Sequence, residues 1–179
     1  IFLICLTLSC LSVNYDYDFF ARLIVGERFI EQGILPFKDF LSYTPTHPWY
    51  DHEWGSGVIF YLFLKYFGAF GTIFLQTILM FGTSIFVIKT QKLQKPKYPT
   101  SILFMTVFLA LFYHINSSGI RCHLFSFFFF SLFLYLMEKL RKNYATNAIW
   151  IIPPAVIIWN NLHGGVVSGL GLIFMYTIG

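Results

Sequence analysis

Apolar residues along this chain form long runs separated by short polar stretches, a pattern of helices that face lipid rather than water. Crossing a bilayer core takes roughly 20 helical residues. Ile1–Val13 supplies the end of a first span, and Asn14–Glu53 is the most polar stretch and too mixed to cross. Apolar residues then run from Val58 to Ile88, interrupted by Gly68-Ala69-Phe70-Gly71. That length exceeds one crossing, and a glycine pair marks a break. The pattern therefore predicts a surface or re-entrant helix over Glu53–Phe67 and a second span over Thr72–Ile88. A third span is predicted over Ser101–Ile115 and a fourth over Leu124–Met137. A fifth helix, Ala148–Trp159, carries Pro153-Pro154, which is expected to kink it. Asn160–Gly165 then turns the chain into a sixth.

The predicted fold class is all-α: a polytopic transmembrane helical bundle of about six membrane helices. A large outer first loop over residues 14–71 contains juxtamembrane helices. Residues 1–179 read as a single N-terminal membrane domain with its C-terminal remainder absent, since no Met opens the chain and Gly179 falls inside an apolar stretch. Ile1–Val13 also resembles a signal-peptide core, but no small-residue cleavage site follows it.

Composition agrees with the pattern. Apolar residues make up 57% of the chain and charged residues 11%, against about 45–50% and about 25% in soluble domains. The net charge of +4 points away from nucleic acid because of its distribution. Lys89, Lys92, Lys95 and Lys97 occupy one short loop, and Lys139, Arg141 and Lys142 another. Basic loops mark the cytoplasmic side, and both fall on the same side by parity. The opposite, outer side receives Asn14–Glu53, Asn116–His123 and Asn160–Gly165. Every carboxylate except Glu138, and all five histidines, lie there or at adjoining helix ends. Spans three to five hold only about 12–15 strongly apolar residues, short of a full crossing. Their outer ends, with His114, Arg121, His123 and Asn160, are therefore expected to sit below the outer surface around an outward-opening cavity. Cys5, Cys10 and Cys122 have no metal-ligand spacing and set no redox compartment.

Four clusters on that outer side carry chemistry. Asp16-Tyr17-Asp18 offers two carboxylates for a divalent cation or a general base. It equally suits helix capping by Asp18 and an Asp18–Arg22 pair four residues apart. In Pro48-Trp49-Tyr50-Asp51-His52-Glu53-Trp54, His52 and Glu53 can hold a metal, phosphate or sugar. The alternative is a helix start beside interfacial tryptophans. Arg121-Cys122-His123 places a guanidinium near the membrane, where it fits a lipid phosphate bidentately or snorkels to headgroups. Asn160, Asn161 and His163 beside Gly164-Gly165 suit either a pocket wall or interhelical hydrogen bonds. The metal candidates among these residues are Asp16, Asp18 and His52. Asn116-Ser117-Ser118 matches a glycosylation acceptor but lies too close to the membrane.

Several motifs occur in order: Asp16-x-Asp18 before a helix ending near Gly33; Pro36-x-x-Asp39-x-x-Ser42-Tyr43-Thr44; and Trp49-x-Asp51-His52-Glu53-Trp54. Together they resemble the first outer loop of bacterial GT-C-type membrane glycosyltransferases, and more closely an uncharacterised subgroup related to the protein mannosyltransferases and aminoarabinose transferases. Arg121-x-His123-Leu124-Phe125-Ser126 and Asn161-Leu162-His163-Gly164-Gly165 are similar to that subgroup too. Asp-Pro-Asp is more usual where Asp16-Tyr17-Asp18 stands, and Arg-Pro where Arg121-Cys122 stands. The resemblance implies an enzyme of the bacterial inner membrane whose active face points outward. It would move sugar from a polyprenyl-phosphate donor to an acceptor. Asp18 would be the catalytic base, with Asp16 beside it, and Arg121 would bind phosphate. His52, Glu53, His123, Asn161 and His163 would complete the pocket, and membrane lipid would surround it. Two other classes compete: a transporter or lipid-binding protein without catalysis, and a structural assembly subunit. A broken helix favours a transporter, whereas the lack of an internal repeat does not.

Overall fold

The helices begin and end where local chemistry satisfies their free backbone groups. Helix α1 (Tyr17–Gln32) starts at Asp16, whose carboxylate accepts from the Asp18 amide at 3.0 Å. It stops at Gly33, which takes the left-handed conformation at φ +67° and donates back to the Phe29 carbonyl. The computed structural model describes residues 15–34, 39, 41, 43–44, 48, 50–95, 97–98, 119–142 and 146–179. The predicted first and third spans, with His47, Trp49, His114 and Asn116-Ser117-Ser118, lie outside the described residues. Among those described, the structure is helical without a strand, and a parallel bridge joins Tyr15 to Ile120.

Helix α2 (Trp54–Gln94) is bent at Gly68, where φ +59° and ψ −153° interrupt the helix. A side chain would strain that backbone, so the glycine is what permits an elbow. Thr72 starts the second arm by donating to the Ala69 carbonyl at 2.8 Å, and its hydroxyl also meets Tyr15 Oη at 2.9 Å. The first arm lies along α1 in backbone contact: a Cβ on Gly26 would stand 2.1 Å from the Gly57 carbonyl oxygen, and one on Gly57 2.3 Å from that of Arg22. Outside the crossing, Tyr61 and Lys65 both bond Glu31.

The second arm packs on α3 (His123–Arg141), with Gly82 making room for the Phe128 ring. A short 3-10 helix, Thr146–Ile151, leads into α4 (Ile152–Leu162), and α5 (Val166–Ile178) follows. Trp159 fills the space between α3, α4 and α5. It stacks on Phe129 at 5.7 Å, meets Phe133 edge-on at 5.3 Å and presses against Gly169. At the lysine-rich end, Glu138 is 2% exposed and accepts from Gln94, Arg141 and Tyr176, joining α2, α3 and α5.

Two helices, Trp54–Gln94 and His123–Arg141, are long and apolar enough to cross a membrane, and Val166–Ile178 is a shorter apolar helix. Phe70, Phe74, Ile78 and Phe81 are exposed at helical spacing along the second arm of α2. Lipid tolerates such a stripe and water penalises it.

Three sequence expectations change. Pro153 and Pro154 do not kink a helix; they lie in the first turn of α4, after the 3-10 segment. There the missing amide proton costs nothing, because first-turn amides have no intrahelical partner. The second span runs past Ile88 to Gln94 because lysine and glutamine are good helix formers; it ends at Lys95, just before Pro96. The fourth reaches from His123 to Arg141, 19 residues, or about 28 Å. A recess therefore does not follow from its length.

Candidate functional site

Glu53 precedes α2 at the capping position but makes no capping bond. Asp51 fixes the turn before the helix, accepting from the Glu53 amide at 2.8 Å. This frees the Glu53 side chain to reach across the bundle. Its Oε1 accepts from the Gly164 amide at 3.2 Å, and its Oε2 from the Cys122 thiol at 3.2 Å. His52 and His163 each bring Nε2 to 3.6 Å from Oε1. The same thiol lies 3.3 Å from Asp18 Oδ2, so one S–H proton stands between two carboxylates. Next to them, Trp54 donates its indole N–H to Asn161 at 2.8 Å.

Two guanidiniums balance the acids. Arg121 pairs with Asp16, which is 7% exposed, and Arg22 with the buried Asp51. Arg22 Nε also stands 3.8 Å from Asp18. The two carboxylates of Asp16-Tyr17-Asp18 thus have different settings. Asp16, not Asp18, is the cap, and it is held by both the helix start and Arg121. Asp18 keeps a 36% exposed side chain facing the thiol.

Behind Glu53, His163 Nδ1 lies 2.6 Å from Ser126 Oγ and accepts from the Gly165 amide at 3.0 Å. Its ring packs 4.6 Å from that of His123. The turn that presents it is only His163–Gly165, since Asn160, Asn161 and Leu162 are still helical.

Burial acts on the ionisable groups in opposite senses. It tends to raise the Glu53 carboxyl, but the Cys122 and Gly164 hydrogen bonds and the nearby His163 and His52 outweigh it and hold the group below its ordinary 4.5. Burial and then the flanking Glu53 and Asp18 charges push the Cys122 thiol up, keeping it protonated. Burial holds His163 below 6.5, with His123 adding to the effect against the pull of Glu53. For Glu53 and His163, an unfolded chain thus binds more protons than the native one just below the ordinary value, so acid destabilises the fold. The contribution of His163 is complete above 6.5 and is lost as pH falls through its lower native value. That of Glu53 is complete above 4.5 and is lost on further acidification. The thermal midpoint of the solubilised protein is expected to fall as pH drops below 6.5 and again below 4.5, and Glu53→Gln should make the second fall smaller. A midpoint that rises on acidification contradicts this.

The metal donors that come together differ from those expected. Asp18, Glu53 and Cys122 bring ligand atoms within 4.8 Å of one another, as do Cys122, His123 and His163. His123 Nδ1 is buried with no hydrogen-bond partner among the described residues. Such mixed oxygen, sulfur and nitrogen donors suit zinc better than magnesium. A zinc ion there would neutralise the paired carboxylates and displace the thiol proton. Asp16 is taken by Arg121, and the His52 side chain is 67% exposed; neither joins these groups.

Asp16, Asp18, Glu53, Arg121, His123 and His163 therefore gather at one end of the bundle, with His52 and Asn161 at the edge. They touch one another rather than lining the apolar clefts, one at Phe63, Phe67 and Phe74 (about 600 Å³) and one at Leu140, Ile152 and Tyr176 (about 450 Å³). Sequence reasoning gave no role to Cys122, Ser126, Trp159 or the Arg22–Asp51 pair. Cys122 and Ser126 are four residues apart, a spacing that puts both on one face at a helix start. Comparison of the chain with known protein families, curated proteins and solved structures finds no match.

Proposed function

We propose that this chain belongs to a GT-C-like glycosyltransferase of the bacterial inner membrane, taking sugar from a polyprenyl-phosphate donor at the outer face. The observation that supports it is the meeting of Asp18, Glu53, Cys122, His163 and the Asp16–Arg121 pair at the bundle end opposite the basic cluster. Of the two candidate bases, Asp18 carries the role, because Asp16 is committed to Arg121 and the helix start. Asp18 takes the proton of an acceptor hydroxyl as its oxygen bonds the anomeric carbon. The bond from that carbon to the phosphate oxygen breaks, and the phosphate leaves with the electron pair. Arg121, 38% exposed beside Asp16, sets its guanidinium charge against that of the leaving phosphate. Glu53 and Asn161 accept or donate hydrogen bonds to sugar hydroxyls.

The test supplies polyprenyl-phosphate hexose, pentose and aminopentose donors to the full-length protein in nanodiscs and measures release of polyprenyl phosphate. Arg121→Ala should lower release by about 10²–10³-fold, and Arg121→Lys should recover part of it by keeping the charge without the fork. Absence of release by the wild type with every donor class removes this function.

A further inference from the structure

A line of hydrogen-bonding groups runs behind Glu53 from the bundle core. The fully buried Trp159 donates its indole N–H to Ser126 Oγ at 2.7 Å. An indole N–H only donates, so this direction is settled. Ser126 Oγ lies 2.6 Å from His163 Nδ1, and the Gly165 amide donates to that same nitrogen at 3.0 Å. A backbone amide cannot accept, so Nδ1 presents its lone pair. The serine oxygen accepts the indole hydrogen bond, and its own O–H is free to donate to Nδ1. Every donor then has an acceptor, and the one proton of the neutral ring must sit on Nε2, 3.6 Å from Glu53 Oε1.

We propose that Trp159, Ser126 and Gly165 lock His163 as its Nε2–H tautomer, so that it faces Glu53 as a fixed donor edge rather than as a base or a metal ligand. A lone pair at Nε2 would require a proton on Nδ1, set against the Gly165 N–H. The ring is thereby withdrawn from the donors grouped around Cys122, and Asp18, Glu53, Cys122 and His123 remain.

The connectivity Ser126–His163–Glu53 also matches a nucleophile–base–acid triad, but the surroundings of the hydroxyl argue against it. A Cβ on Gly165 would lie 2.3 Å from Ser126 Oγ, and the indole covers another side. Attack on a carbonyl carbon would need that crowded oxygen to open. Ser126 and Trp159 are instead positioning residues: they act through His163 on the orientation of Glu53. Their consequence for transfer rests on the proposed function, whereas the tautomer does not.

Nitrogen NMR of the full chain in nanodiscs, with isotope-labelled histidine and His163→Gln for assignment, tests the lock at neutral pH. The expected His163 spectrum has a pyridine-type Nδ1 and a pyrrole-type Nε2 that carries the proton, both unmoved by excess zinc. Ser126→Ala leaves the Gly165 amide on Nδ1, so it should keep the proton on Nε2 while the Nδ1 signal moves as the serine hydrogen bond is lost. A wild-type ring with the proton on Nδ1, or an Nε2 signal shifted by zinc, overturns the proposal. The wild-type spectrum decides even if Ser126→Ala does not fold, and it is independent of whether any sugar donor is turned over.

Discussion

Asp18→Asn is expected to lower sugar transfer by about 10²–10⁴-fold, the usual contribution of a positioned general base, while the protein still folds. In barrier terms that is roughly 3–5 kcal/mol. The fold should survive because Asn keeps the shape of the side chain and Arg22 keeps its partner Asp51. The Arg22–Asp18 contact is long at 3.8 Å and its acid partly exposed, so its loss costs at most about 1 kcal/mol. Asp16→Asn should behave differently, loosening the start of α1 by weakening the Arg121 pair. Initial rates for polyprenyl phosphate release, measured beside thermal midpoints, separate the two. Wild-type rates from Asp18→Asn would remove it as the base.

Gly57→Val is expected to be strongly destabilising, as is the same change at Gly26 across the same crossing. The Cβ position is 2.3 Å from the Arg22 carbonyl oxygen and 3.2 Å from the Gly26 amide nitrogen. These are backbone atoms, which cannot rotate away as a side chain would. The helices must separate, which pulls Phe19 from Phe60 and Arg22 from Asp51. Overpacking costs about 1–3 kcal/mol where neighbours can yield, and the cost here should lie at or above the top of that range. Gly171→Ala is the control: nothing lies within 4 Å of its Cβ position, and alanine favours the helix by about 1 kcal/mol. Thermal unfolding of both in the same detergent gives the comparison, and equal midpoints would show that the crossing tolerates separation.

The pair also shows where sequence patterns stop. Gly55 and Gly57 in Trp54-Gly55-Ser56-Gly57 read as weak helix formers at a helix start. Their purpose lies in what they face, the Asn161 carbonyl in one case and the Arg22 carbonyl in the other. The Gly68 break was legible because an apolar run too long for one crossing needs an interruption, and a glycine pair supplies it. The roles of Asp16 and Asp18 were not. Either acid suits the first turn of a helix, and the choice depends on Arg121, 105 residues away. Cys122 looked like a small apolar residue for the same reason: the carboxylates that define it are 69 and 104 residues distant.

Apolar runs and charge placement act along the chain, and they determined the helical class, the apolar helices around residues 72–88 and 124–137, and the separation of the histidines and of every acid but Glu138 from the basic loops. Contacts between distant side chains exist only once helices pack, because hydrogen bonds and ion pairs act over a few ångströms. Tertiary structure therefore decided which acid caps α1, which one faces the Cys122 thiol, and which nitrogen of His163 holds its proton.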